Sequence, residues 1–215
     1  MRPQVRNVIL PGMIAMAAIV LLSNILVQFL LGQWLTWGAL TYPLAFLVTD
    51  LVNRLEGPSA ARRVVILGFA MGLICSIIGT QIHGEFGPLV TLRIALGSGV
   101  AFLIAQMLDV SVFDKLRNGT WWRAPVVSSL VGAMIDTALF FFIAFSAVLS
   151  GLFANIDVGW ANEAVPLLGV GPALPFWVSL AVADFGVKVL LVFLSLIPFR
   201  MLVEHLRSGQ RAKTL

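Results

Sequence analysis

The chain has 215 residues, of which 60% are hydrophobic and only 11% charged, and its mean hydropathy is +1.00. A soluble domain has about 45–50% apolar and about 25% charged residues, so a soluble fold is excluded, and the length suits one transmembrane domain over residues 1–215. The net charge of +4 does not point to nucleic acid, because the basic residues lie in short connections and at the termini, where they orient membrane helices.

Runs of about 20 apolar residues can cross a bilayer core. Six such runs predict an all-α integral membrane protein with six transmembrane helices, at about 8–31, 36–55, 62–82, 89–110, 124–149 and 175–201. The first run superficially resembles a signal peptide. It is longer than a signal core of about 7–15 residues and more spans follow, so it reads as a retained helix. Gly57-Pro58, Gly84 with Gly87-Pro88, Asn118-Gly119 and the stretch 169–175 mark the breaks. Gly68 and Gly72 form a small-xxx-small pattern, which reads as a helix-packing face. The connection 151–174 is longer than the others and holds Trp160 and several prolines. It reads as an interfacial loop with an aromatic anchor, and a lid over an outward opening is the alternative.

The charges sort by side. Arg2 and Arg6 precede the first helix, Arg54, Arg62 and Arg63 flank the second connection, and Lys115, Arg117 and Arg123 hold the fourth. Arg200, Arg207, Arg211 and Lys213 follow the sixth helix. The odd-numbered connections have no Lys or Arg in their loops, and the fifth carries Asp157 and Glu163. The positive-inside rule therefore places both termini in the cytoplasm. Two sets of three helices invite an inverted-repeat reading, since three spans per half make the halves face opposite ways. Asp50 and Asp136 fall at comparable depth in the two halves.

A charge at bilayer depth costs about 2.5–3.5 kcal/mol even on the lenient insertion scale, so ionisable residues within spans mark candidate sites. Arg93 and Lys188 are the cations at that depth, and carboxylates are expected to answer both. In Asp184-Phe-Gly-Val-Lys188 a carboxylate and an ammonium lie one turn apart. Asp50 and Arg54 repeat that i,i+4 spacing, where a pair can neutralise itself locally, and Arg54 can snorkel to the interface. Asp136 has no opposite charge on its own helix. It must find Arg93 or Lys188 across the bundle, be protonated, or meet a ligand. Asn24 and Gln28 share a face of the first helix, and Asn53 follows Asp50.

Such groups suit a planar polar heterocycle. A carboxylate offers two oxygens to adjacent N–H donors, and Trp34, Trp37, Tyr42 or Phe140-Phe141-Phe142 could stack on its plane. Aromatics at span ends also form interfacial belts, and composition does not identify the heterocycle. Cys75 is the single cysteine, and His83 and His205 have no ligand at metal spacing, so no metal site and no cofactor are expected.

Several stretches together resemble the queuosine-precursor transporter family, once described as vitamin-uptake transporters. They run from Thr36-Trp-Gly-Ala-Leu-Thr-Tyr-Pro to Thr49-Asp50-Leu and Ala61-Arg62-Arg63. Arg93-Ile-Ala-Leu-Gly-Ser-Gly follows, with Gln106-Met-Leu-Asp109. Trp121-Trp122-Arg-Ala-Pro125, Asp136-Thr and Phe140-Phe-Phe complete the fifth-helix match, and Asp184 with Lys188 the sixth. The similarity covers roughly 36–198. It departs at Ala133, where an Asn is common, and in the long connection 151–174.

The resemblance implies import of cyano- and aminomethyl-deazaguanine bases, salvaged for the queuosine of transfer RNA, across the inner membrane of a bacterium. It implies a small-molecule partner and the lipid bilayer, no directly bound nucleic acid, and is compatible with a homo-oligomer. The expected substrate-binding set is Asp136, Asp184, Lys188 and Arg93, with Asp50, Asn53 and Arg54 as gate or coupling residues, and with Asn24, Trp37 and Tyr42. Asp136 or Asp184 is expected to read the guanine-like edge. The alternative is a substrate-binding membrane component of an ATP-driven importer, although this sequence has no P-loop of its own. An enzyme is not expected, since no Gly-x-Ser-x-Gly, His-Glu-x-x-His or Gly-x-Gly-Asp segment occurs.

Overall fold

In the computed structural model, residues 8–84, 87–153 and 155–211 are described. Arg2, Arg6 and Lys213, three of the basic residues that orient the chain, lie outside them. Among the described residues five helices are long and apolar enough to cross a membrane. The first, α1 (Ile9–Leu26), buries Gly12, Met16, Val20 and Ser23. That spacing of three to four residues lines one helix face. Leu10, Ile14, Leu22 and Ile25 face outward, as a lipid-facing surface requires. The helix ends five residues before the expected boundary at 31. Gly32, with φ 71°, turns the chain, and β1 (Leu30–Leu31) pairs antiparallel with β2 (Leu35–Thr36). A positive φ at this turn favours glycine.

The expected helix at 36–55 is broken in two, α2 (Gly38–Thr41) and α3 (Leu44–Glu56). Pro43 is the cause, because it has no N–H to give to the preceding turn and its ring crowds the carbonyl four residues back. Neither piece alone is long enough to span. Gly57, at φ 92°, then reverses the chain, and Pro58 opens α4 (Pro58–Gln81) at its first position. The amide of Val8 donates to Glu56 Oε1 at 3.1 Å. The end of α3 therefore returns to the level of the start of α1.

A second small ribbon, β3 (His83–Gly84) with β4 (Gly87–Pro88), leads into α5 (Leu92–Leu116). The Thr91 hydroxyl caps α5 by accepting from the Ile94 amide at 3.2 Å. This helix runs six residues past the expected 110, because Phe113 is fully buried against Phe199 and packing continues beyond the purely apolar run. The next helix, α6 (Arg123–Phe145), stops four residues short of the expected 149, where Ser146 becomes extended. Three short 3-10 turns and an antiparallel ribbon, β5 (Ala164–Pro166) with β6 (Ala173–Pro175), make up most of the long connection. The last helix, α7 (Phe176–Arg211), passes through Pro198 and ten residues beyond the expected end. At about 1.5 Å per residue it is longer than a bilayer core of about 30 Å.

The most extensive helix pair is α5 with α6, while α3 contacts α1, α4, α5, α6 and α7. The 13-residue α3 thus sits in the middle of the bundle. Its Ala45 and Val52 pack in one core cluster with Met16, Val64, Val65, Phe102 and Val110. Gly68, the first glycine of the small-xxx-small pattern, packs against Met16 and Phe102, and Gly72 faces Val20. At one end of the bundle Arg54 donates to the Arg117 carbonyl at 2.6 Å and the Trp121 carbonyl at 3.2 Å, and Arg200 lies 5.0 Å over the Trp121 ring.

Gly38 is where α2 meets the end of α1. A Cβ there would stand 2.9 Å from the Val27 nitrogen and 3.0 Å from the Ser23 oxygen, both backbone atoms that cannot swing away. Gly38→Ala is therefore expected to cost about 1–3 kcal/mol, read as a lower unfolding temperature in detergent. Gly72→Ala is the control, because its Cβ would meet Val20 at an ordinary 3.6 Å and the unfolding temperature should hold.

Candidate functional site

Two buried polar clusters lie along α6, about two helical turns apart. The first gathers Asp136 and Thr137 from α6, Asp184 and Lys188 from α7, and Tyr42 from the α2–α3 break. Lys188 Nζ donates to Asp136 Oδ2 at 2.8 Å, to Thr137 Oγ1 at 2.9 Å and to Asp184 Oδ2 at 2.5 Å. An ammonium has three N–H donors, and all three are used. Thr137 passes its own proton to Asp184 Oδ2 at 2.8 Å. Tyr42 donates to Asp136 Oδ1 at 3.1 Å, and its ring stands 5.7 Å from the Lys188 ammonium, within cation–π range.

The cluster holds two carboxylates and one ammonium, a net charge of −1 if all three are ionised. Lys188 and Asp136 are almost completely enclosed, whereas the Asp184 side chain is 14% exposed. Both Asp136 oxygens have donors, but no donor among the described residues reaches Asp184 Oδ1. Asp184 is therefore the member with an acceptor to spare.

The second cluster lies nearer the end of the bundle that carries Arg54 and Arg117. Asp50 of α3 accepts from Ser128 at 3.3 Å and Ser129 at 3.1 Å, both on α6. Thr49 donates to Gln106 Oε1 at 2.8 Å, and Asn53 to the Val110 carbonyl at 3.0 Å, both on α5. Asp109 of α5 completes the group. The expected local pairing of Asp50 with Arg54 does not form. Asp50 turns inward to α6, while Arg54 reaches past the helix end to the Arg117 and Trp121 carbonyls and lies over the Phe113 ring. Arg117 in turn donates to the Asn53 carbonyl.

Arg93 does not join either cluster, and no carboxylate among the described residues answers it. At 0% exposure, its Nε donates to the Ile143 carbonyl at 2.7 Å and its Nη2 to the Ser146 carbonyl. Its guanidinium also lies 5.3 Å over Phe153. These carbonyls close the C-terminus of α6, which carries partial negative charge. Arg93 thus fastens α5 to α6 and accounts for the early end of α6.

Asn24 donates to the Val20 carbonyl at 2.8 Å and lines a small cavity of about 30 Å³ with Tyr42, Ser76 and Ser98. Trp37 is 47% exposed, in keeping with an interfacial belt. A cavity of about 450 Å³ lies within the long connection, lined by residues including Phe153, Asn155, Asp157 and Asn162. It is away from both charged clusters.

Of the ten expected site residues, the fold brings Asp136, Asp184, Lys188 and Tyr42 together, and places Asp50 and Asn53 in the second cluster. Arg54, Arg93 and Trp37 lie apart, and Asn24 shares a small cavity with Tyr42. Sequence reasoning passed over Thr137, Gln106, Asp109, Ser128 and Ser129 as site residues. Asp109 carried a signal, an ionisable residue within a span, but the helix was expected to end at 110, which put it at the interface.

Aromatic rings pack at the other end of the α6–α7 contact. Phe140 and Phe141 stand a turn beyond Asp136 on α6, with ring centres 5.0 Å apart. Phe145 meets both, Trp160 of the long connection meets Phe145 at 5.7 Å and Phe176 at 6.1 Å, and Trp34 meets Phe176 at 5.7 Å. Phe176 stands about two turns before Asp184 on α7.

An apolar helical bundle with a buried, hydrogen-bonded charge cluster between its helices defines a multi-pass membrane protein of the transporter class. The model of the family described as "Putative vitamin uptake transporter" matches residues 36–203. The chain is 32% identical over 212 residues to the "Queuosine precursor transporter" of Escherichia coli, covering 90% of this chain and 87% of that protein. It is 40% identical over 121 residues to the "Probable queuosine precursor transporter" of Haemophilus influenzae, covering 51% of this chain and 52% of that protein. The chain belongs to this queuosine-precursor transporter family. No solved structure matches it.

Breaking a buried ion pair by removing one partner costs about 3–5 kcal/mol, because the other charge is left unanswered. Lys188→Met strands two carboxylates and is expected to lower the unfolding temperature more than Asp184→Asn, which leaves Lys188 paired with Asp136. Adding Asp136→Asn to Lys188→Met should recover part of the loss. A thermal-unfolding double-mutant cycle in detergent reads the coupling, and equal losses for the single variants would contradict the shared-ammonium geometry.

Proposed function

We propose that this protein imports 7-deazaguanine bases, precursors of transfer-RNA queuosine, and that Asp184 reads the guanine-like edge of the base. The observation that carries this reading is the open Oδ1 of Asp184 in a cluster whose other acceptors are already engaged. Asp184 Oδ2 is held by Lys188 and Thr137, so the carboxylate is fixed in orientation before the ligand arrives. A ring N–H and an exocyclic amine can then donate to it side by side. Tyr42 and Phe140 supply ring faces beside the cluster for the plane of the base.

In this reading α2 and α3 together make a sixth crossing, the basic end of the bundle is cytoplasmic, and both termini are inside a bacterial inner membrane. Each connection or helix end bearing Arg54, Arg62, Arg63, Lys115, Arg117, Arg123 or Arg200 supports that orientation. An inverted relation between the two halves is supported by the placing of Asp50 and Asp136 on the second helix of each half. The family relationship supports transport of queuosine precursors by this chain, as the name of the Escherichia coli relative states for that protein.

Charge-assisted hydrogen bonds are worth about 1.5–3 kcal/mol each, and about 1.4 kcal/mol is tenfold in affinity. Asp184→Asn is expected to reduce uptake of a labelled 7-deazaguanine base at least about tenfold, in cells that cannot synthesise it, at unchanged protein level. Asp184→Glu should retain part of the uptake. Wild-type uptake by Asp184→Asn would sink the site assignment. Uptake by the purified protein in liposomes without any ATPase would reject the ATP-driven alternative.

A further inference from the structure

We propose that Asp50 and Asp109 form a second binding site, which holds one proton between two carboxyls and couples base import to the inward proton gradient. The inference rests on the transporter reading above and concerns a different part of the molecule.

Asp109 is 0% exposed, and neither of its oxygens has a hydrogen-bond donor among the described residues. Thr49 and Asn53, on either side of Asp50, bond to Gln106 and the Val110 carbonyl, on either side of Asp109, which puts the two carboxyls at one level of the α3–α5 contact. Asp50 is 2% exposed and accepts from Ser128 and Ser129. A second observation comes from Gln106, one turn before Asp109 on α5. Its amide nitrogen is fully buried and unpartnered, while its oxygen is held by Thr49, the neighbour of Asp50. Open acceptors and an open donor therefore border the same place, in the lipid-spanning part of the bundle.

Two buried carboxylates need a positive charge between them, because like charges in a dry site cannot both ionise. None of the surrounding elements supplies one among the described residues. On α3, Arg54 is turned to the Arg117 and Trp121 carbonyls. On α5, Arg117 is engaged with Asp114 and Asn53, and Lys115 is exposed. On α6 the facing groups are the neutral Ser128 and Ser129, with Arg123 at the helix start. On α7, Lys188 serves Asp136 and Asp184, Arg200 pairs with Glu204, and Arg207 is exposed. On α4, Arg62 and Arg63 sit exposed in the first turns, and α1 carries no charge within Ile9–Leu26. A proton fits this place because it joins two carboxyl oxygens through one O–H···O bond and needs no further ligands.

The same two segments carry both sites. Tyr42 touches Asp136 of the first cluster, and Asp50, eight residues later, touches Ser128 and Ser129, eight and seven residues before Asp136. Eight helical residues rise about 12 Å. A shift of the Tyr42–Asp50 segment as one piece along α6 therefore changes both sets of contacts at once. Protonation of the carboxyl pair alters the hold of Asp50 on the two serines, and with it the register of Tyr42 on Asp136.

The test uses the full chain, reconstituted in liposomes with a labelled 7-deazaguanine base. Counterflow of labelled against unlabelled base, with no gradient, is expected for the wild type. Its absence overturns the transporter reading. With the outside more acidic by about one unit, one proton per base supports up to about tenfold accumulation, and an uncoupler should abolish it. Counterflow without any response to the proton gradient, or accumulation driven instead by sodium, overturns the proton site alone. Asp109→Asn and Asp50→Asn are each expected to lose gradient-driven accumulation, and full accumulation in either overturns the assignment. Infrared spectroscopy of the protein at neutral pH is independent of transport. A protonated carboxyl C=O band is expected in the wild type and should disappear in the Asp109→Asn/Asp50→Asn double variant. Its absence from the wild type, or its persistence in the double variant, overturns the inference.

Discussion

A charge at bilayer depth must be answered inside the protein, and Lys188 answers two at once. Its three N–H donors go to Asp136, Thr137 and Asp184, which joins α6 to α7 at a level where lipid offers no hydrogen bonds. Without the ammonium, the two carboxylates would face each other across the helix contact. With it, Asp136 is fully engaged and Asp184 keeps one oxygen open. Tyr42 extends the same network to the α2–α3 break, so one ammonium sets the relative position of three chain segments. Arg93 meets the same requirement differently, by capping the carbonyls of Ile143 and Ser146, which are themselves left over by the end of α6.

The apolar runs, their glycine and proline breaks and the sided basic residues were legible because each follows from local composition. Gly57-Pro58 punctuates α3 and α4 at the expected place. The depth of Asp136, and its need for a partner outside its helix, were also legible, since no cation lies within a turn of it. What the chain alone does not contain is which face each helix turns to which neighbour. The i,i+4 spacing of Asp50 and Arg54 suggests a local pair, but Asp50 faces two serines on α6, and Arg54 sits at a helix end where unpaired carbonyls compete for it. The spacing of Asp184 and Lys188 is the same, and there the pair does form. The difference lies in what the other helices present.

Helix boundaries show the same division. Apolar length marks the part of α5 and α7 that lies in hydrocarbon, whereas the helices continue as long as packing supports them, through Phe113 and Phe199 to Val203. Conversely, Pro43 divides an apolar run that composition reads as one helix. That division matters for the site, because the residue before the proline is Tyr42.

The two ends of the bundle are closed by different physics. At the basic end, Arg54 and Arg117 make directional bonds to carbonyls of Arg117, Trp121 and Asn53, and charge-assisted bonds of this kind are worth about 1.5–3 kcal/mol each. At the other end of the α6–α7 contact, closure comes from a chain of ring contacts through Phe145, Trp160, Phe176 and Trp34. Ring pairs add about 0.5–1.5 kcal/mol each beyond their buried area and tolerate a range of angles. The long connection that carries Trp160 has few hydrogen bonds to the helices, among them Asn162 to the Phe145 carbonyl and the Leu168 amide to Ser179. The charge cluster therefore lies between a firmly bonded end and an end held mostly by aromatic packing, and Asp184, its most exposed member, stands on α7, whose first residue, Phe176, belongs to that aromatic packing.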